Sequence, residues 1–162
     1  MSACNGVSVV DSRKVIVRRT KKYGQGVFAK ERIRKGTVIA EFDGPIYDDK
    51  FTAWTKDISN HAIQFAKNKW RDSKGIARLI NHSCDPNCGI KELFKVVAMR
   101  TIEKGEQITW DYEMTEKSWW WTLRCRCGSA GCRRKVGNYS RLPKAIREKY
   151  KGYISEWLLT DR

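Results

Sequence analysis

The segment Cys125-Arg126-Cys127-Gly128-Ser129-Ala130-Gly131-Cys132 places three thiols within eight residues, and this spacing constrains the fold more than any other feature of the chain. Gly128 and Gly131 supply the backbone freedom needed to aim the sulfurs at one point. Arg124, Arg126, Arg133 and Arg134 make the segment polar, so a core strand with three buried free thiols is the weaker reading. Three soft ligands in one turn point to tetrahedral zinc, and a closed tetrahedron needs a fourth ligand. The other thiols near a turn are Cys84 and Cys88, about 40 positions upstream. Either one would staple two distant parts of the chain together. Cys4 stands alone, and six cysteines in 162 residues are too few for a disulfide-dense scaffold.

A chain of this length suits one domain with a sizeable core and a C-terminal appendage. No apolar run reaches the roughly 18 residues of a membrane span, and Met1 to Val10 lack the pattern of a secretory signal. A soluble protein with no membrane partner is therefore expected. Lys plus Arg is 33 against 18 Asp plus Glu, a formal charge of +15 spread along the whole chain. Such a surface either meets nucleic acid or an acidic partner, or is a solvated face that keeps the protein dispersed.

The first half reads as short strands separated by turns: Val7 to Val10, Val15 to Val17, Val27 to Ala29, and Thr37 to Phe42 after Lys35-Gly36. Further strands are expected at His61 to Phe65, Leu93 to Met99 and Ile108 to Trp110, and a short helix at Asp48 to Trp54. The tail differs. Behind Pro143, Ile146, Tyr150, Tyr153, Ile154, Trp157 and Leu158 recur at three- and four-residue spacing, which predicts one amphipathic helix of about four turns packed on the domain.

Asn81-His82-Ser83-Cys84-Asp85-Pro86-Asn87-Cys88 is dense in hydrogen-bonding side chains and follows the apolar Leu79-Ile80, which would anchor it to the core. Alone it is either a polar turn or a ligand loop. Taken in order with three other segments it closely resembles the SET-domain family of lysine methyltransferases. The others are Gly24-Gln25-Gly26-Val27-Phe28-Ala29, Gly105-Glu106-Gln107-Ile108-Thr109-Trp110-Asp111-Tyr112, and the Cys125 to Cys132 turn, which is similar to the family's post-SET zinc motif. The resemblance spans residues 13 to 137, and an ordered set of four motifs is far more specific than a lone Gly-x-Gly.

The resemblance implies a mostly β fold of small sheets with a knot-like C-terminal crossing, a post-SET zinc turn and a C-terminal helix. It divides the chain into a SET domain at 13–115, a post-SET segment at 116–137 and a helical extension at 138–162. It implies S-adenosylmethionine as methyl donor, bound by Gly24, Gln25, Gly26, Arg78, Asn81 and His82, with Val136 as an apolar cap on the adenine. Tyr112 becomes the active-site tyrosine. Cys84 becomes the fourth zinc ligand beside Cys125, Cys127 and Cys132, with Cys88 in reserve.

Three positions depart from the family pattern. Phe42 and His61 stand where tyrosine is frequent, and Trp110 occupies a position that influences how many methyl groups are added. The run Trp119-Trp120-Trp121 is also unusual and either walls a lysine channel or packs the zinc turn. The implied partner is a protein with a target lysine, most often a histone, with DNA meeting the basic surface. That places the chain on chromatin in a eukaryotic cell or host, and otherwise in the cytoplasm. A non-histone substrate, or a catalytically silent module on the same fold, are the alternatives. Asp48, Asp49, Asp57, Glu113 and Glu116 are candidates for an acidic groove that would receive a basic peptide.

Overall fold

A computed structural model describes residues 12–160 of the chain. Twelve short strands and three short helices follow one another: β1 (Val15–Arg19), β2 (Gln25–Ala29), β3 (Val38–Glu41), β4 (Ile46–Asp48), α1 (Lys56–His61), β5 (Ile63–Ala66) and β6 (Lys69–Arg71), then β7 (Asn81–His82), β8 (Cys88–Lys91), β9 (Lys95–Ala98), β10 (Thr109–Trp110), β11 (Leu123–Arg124), β12 (Lys135–Val136), α2 (Lys144–Lys149) and α3 (Glu156–Thr160). The expected strand at Val7 to Val10 lies outside the described residues. Those at Val15, Val27, Thr37, Leu93 and Ile108 are present with bounds shifted by one or two residues.

The strands form five small sheets. β1 and β2 make an antiparallel hairpin, β3-β9-β8 and β4-β6-β5 make three-stranded antiparallel sheets, β11 pairs with β12, and β7 runs parallel to β10. None is large enough to stand alone, so each relies on the apolar centre they share. That centre holds Val27, Ile39, Phe42, Ile80, Ile90 and Ile108, all nearly inaccessible to water. Among the described residues no helix is long and apolar enough to cross a membrane.

Two expectations fail for identifiable reasons. The Asp48 to Trp54 helix is absent: Asp48 ends β4, and the helix begins at Lys56, where the Thr55 hydroxyl accepts a hydrogen bond from the Ile58 amide at 3.2 Å. Tyr47, Phe51 and Trp54 mimic a helical stripe, but they cluster as rings on β6 instead. His61 consequently closes α1, and the strand expected there starts at Ile63.

The tail is two helices rather than one. Gly152 adopts a left-handed φ of 80°, which ends the first helical stretch, and the chain then bends past β8. Ile90 donates its amide to the Tyr153 carbonyl at 2.8 Å, and Ser155 donates to Met114 at 2.9 Å. Gly89 makes this approach possible, since a Cβ there would sit 2.5 Å from Cβ of Tyr153. The apolar spacing read as one helical face is shared between α2, the bent link and α3, with Tyr150 completely buried.

Candidate active site

Two segments distant in sequence form the floor of the site. Asn81 and His82 of β7 pair in parallel with Thr109 and Trp110 of β10, and the Ser83 amide continues the ladder to the Trp110 carbonyl at 3.1 Å. Buried Asn87 bridges them from behind, donating to the Gln107 carbonyl at 2.8 Å and accepting from the Thr109 amide at 3.0 Å. Tyr112 therefore arrives directly beside the Asn-His loop. Its hydroxyl donates to the Ile80 carbonyl at 3.1 Å, and its amide donates to His82 Nδ1 at 3.2 Å. Burial pushes the phenol well above its ordinary range, so it stays protonated.

His82 links this floor to the cysteines. Its Nδ1 accepts from Tyr112, so the proton of the neutral ring sits on Nε2, which faces Cys84 Sγ at 3.3 Å. Burial, aided by the Arg133 charge, pushes the imidazole down to about 3, which keeps that tautomer neutral.

The Sγ atoms of Cys84, Cys125, Cys127 and Cys132 all lie within 4.8 Å of one another. Cys125 is 3.8 Å from Cys84 and 3.7 Å from Cys132. A tetrahedral ion with metal–sulfur bonds of about 2.3 Å needs sulfurs about 3.8 Å apart, so the donor set fits zinc in chemistry and in spacing. Cys88 is not in the group. It lies on β8, fully buried, its thiol pushed far up by that burial.

Arg133 is a second tie between the cysteine turn and the floor. Its guanidinium lies 2.8 Å from Asp111 Oδ1 and 3.2 Å from Glu113 Oε2, and its amide donates to Cys84 Sγ at 3.4 Å. Both carboxylates are buried, and burial raises their pKa values while Arg133 opposes the rise. Glu113 also accepts from the Gly137 amide at 2.7 Å. Tyr112 thus stands between two acidic residues clamped by the turn that carries the thiols.

Two cavities meet at Tyr112. The larger, about 520 Å³, is lined by Gln25, Arg78, Asn81 and His82 on one side and by Trp121 to Arg126 on the other, with Tyr23 at its edge. The smaller, about 30 Å³, is a narrow pit walled by Phe42, His61, Ile80, Trp110, Tyr112 and Trp121. Both are also lined by Asn60, His61, Arg78, Tyr112 and Trp121. The three departures noted in the sequence, Phe42, His61 and Trp110, all line the pit.

Of the expected binding residues, Gln25, Arg78, Asn81 and His82 converge on the large cavity. Arg78 is held by Asp57 at 2.6 Å and Asp72 at 3.1 Å, and Asn81 Nδ2 donates to the Gln25 carbonyl at 2.8 Å. Gly24 turns the chain at a φ of 70° with open space before it, while Gly26 has no room for a side chain, its Cβ position being 3.0 Å from Asn81 Nδ2. Val136 does not reach the cavity. It is buried beside Cys84 and Cys125, and its cross-strand partner Leu123 lines the cavity instead. Leu123, Tyr23 and Asn60 were not singled out from sequence, since nothing in their spacing marks them. Of the acidic candidates, Glu113 faces Arg133, Glu116 is buried at the pit, and Asp57 pairs with Arg78.

The SET domain family model matches residues 24–113, more than half of the chain. The chain belongs to the SET-domain family. This SET domain is 31% identical over 153 residues to the Arabidopsis thaliana "Histone-lysine N-methyltransferase ASHH3", covering 82% of the chain and 40% of that relative. It is 33% identical over 142 residues to the Aspergillus oryzae "Histone-lysine N-methyltransferase, H3 lysine-4 specific", covering 75% of the chain and 12% of the relative. A crystal structure of KRYPTONITE in complex with mCHG DNA and SAH superposes with a TM-score of 0.59 at 25% identity, over 75% of this chain and 28% of that one. The SET domain here thus spans well under half the length of these relatives.

Two outcomes are expected. Arg133→Met strands two buried carboxylates and should cost about 3–5 kcal/mol in chemical denaturation, with part of the loss recovered when Glu113→Gln is added. A loss below about 1 kcal/mol would show that water screens the clamp. By metal analysis, Cys84→Ser should lose its ion, whereas Cys88→Ser should retain one per chain.

Proposed function

We propose that this SET domain is a protein-lysine N-methyltransferase that uses S-adenosylmethionine as methyl donor and carries one structural zinc ion on Cys84, Cys125, Cys127 and Cys132. The observation that carries this reading is the meeting of a cofactor-sized cavity and a narrow aromatic pit at one tyrosine, on a chain of the SET-domain family. The SAH bound in the KRYPTONITE complex and the histone-lysine methyltransferase names of the relatives favour the same chemistry. Those names also favour a histone as the substrate and chromatin as the place of action.

S-adenosylmethionine, when bound, supplies a methyl group on a sulfonium. In this reading Asn81 and His82 would hold the amino end and the adenine, Gly24, Gln25 and Gly26 would lie along the methionine portion, and Arg78 borders the same cavity. Leu123, which lines the cavity, would supply the apolar contact to the adenine that the family resemblance implies for Val136.

The acceptor amine must reach the pit neutral. A free lysine has a pKa of about 10.4 and arrives as an ammonium ion. Phe42, Ile80, Trp110, Tyr112 and Trp121 strip water from it, and desolvation favours the neutral amine. The Tyr112 hydroxyl, protonated and fixed on the Ile80 carbonyl, is a poor base and a good fixed point. Its contribution is alignment of the amine with the methyl group, and alignment supplies much of the acceleration.

Radiolabelled methyl transfer from S-adenosylmethionine to protein substrates tests the reading. Tyr112→Phe should lower transfer by about a hundredfold while cofactor affinity by calorimetry stays within about twofold. Asn81→Ala should do the reverse, weakening cofactor binding by about 1–3 kcal/mol through the group it leaves unsatisfied. Undiminished turnover by Tyr112→Phe would overturn the tyrosine's role.

A further inference from the structure

The active-site tyrosine stands at the inner end of a trail of aromatic rings that runs out to solvent. Tyr112 is 6.3 Å from Trp121, and the neighbouring Trp120 is 6.3 Å from Trp70. Trp70 meets Trp54 edge-on at 5.4 Å, and Trp54 packs on Phe51 at 5.4 Å and Tyr47 at 5.5 Å. The outer part is not core. Trp120 is 56% exposed and Trp54 37%, and Trp119 beside them is 85% exposed. Clustered exposed indoles of this kind mark a contact surface, because leaving them in water is costly.

The chemistry of the surface selects its occupant. Strand alternation sends Lys69 and Arg71 to the opposite face of β6 from Trp70, and Arg71 lies over Phe94, 4.5 Å from its centroid. The Trp70 face of β6 therefore receives no cation from that strand to hold a phosphate backbone. Residues 43–55, which carry three of the rings, hold three Asp against one Lys, the reverse of the 33 to 18 excess of the whole chain. Elsewhere the protein already shows what it places on such rings: Lys91 lies 5.4 Å from the centroid of Tyr153, Lys117 5.8 Å from that of Trp157 and Arg147 5.5 Å from that of Tyr139. A chain of charge +15 repels a basic substrate, and π faces attract a cation without needing a carboxylate.

We propose that the Trp54–Trp70–Trp120 ladder binds a positively charged side chain of the substrate, an arginine or lysine flanking the lysine that enters the pit. The inference rests on the methyltransferase reading and names what that site selects beyond the acceptor itself.

The test uses lysine peptides in which one arginine is moved through the flanking positions, each compared with its neutral isostere, citrulline. In the wild-type protein, arginine at one position or one side should lower KM roughly two- to fivefold with kcat unchanged. Trp120→Ala and Trp54→Ala should bring that ratio to about one while cofactor affinity and melting temperature hold, and Trp54→Phe should keep part of it. Transfer without an arginine preference at any position, or a preference that survives both alanine variants, would sink the inference alone. So would an oligonucleotide that quenches tryptophan fluorescence only when Trp120 is present, or self-association that Trp120→Ala abolishes. Absence of transfer to every lysine peptide would instead sink the methyltransferase reading, and the inference with it.

Discussion

The parallel pairing of β7 with β10 is the contact on which the site depends. Two-residue strands cannot hold one another, and parallel partners need a long crossover between them. Here the crossover passes through β8 and β9, the centre of the molecule, so the pairing inherits its stability from the sheet beneath. Asn87 locks it from below, and the Tyr112 hydroxyl and amide lock it from above. Asn81, His82 and Tyr112 acquire their geometry from this one arrangement.

The pairing shapes only the floor. The opposite wall, Trp121 to Arg126, belongs to a segment with little apolar sequence, and β11 and β12 pair over only two residues each. Four sulfurs and one guanidinium hold it down. The sulfurs bring Cys84 of the floor to the turn, and Arg133 neutralises the carboxylates on either side of Tyr112. Removing a charge from such a buried set costs more than the set contributes when intact. The cysteine cluster and the buried ion pair thus both bear on the position of Tyr112. The His82 ring, donating to Cys84 and accepting from Tyr112, carries the connection.

Much of this was legible in the chain. Motifs whose chemistry requires specific atoms, the thiols, Asn81-His82 and Tyr112, converge as their order suggests. Spacing of apolar residues proved a weaker guide. Tyr47, Phe51 and Trp54 recur at helical intervals yet pack as rings on β6, and the tail pattern is divided by Gly152. Both cases show packing in three dimensions overriding local periodicity. Leu123 and Val136 illustrate a further limit. Although the two are paired across β11 and β12, Leu123 lines the cavity while Val136 is buried against Cys84 and Cys125, and no linear pattern records which of the two the cavity reaches.

The central claim is that the cysteine turn is a wall held in place by metal and Arg133 over a floor that stands without it. Amide hydrogen exchange, residue by residue, before and after chelation of the zinc-loaded protein, tests this most directly. Protection should be lost across 121–136 and in the loop around Cys84, while β3, β8 and β9 keep theirs. Uniform loss across the sheet, or unchanged protection in the turn, would contradict it.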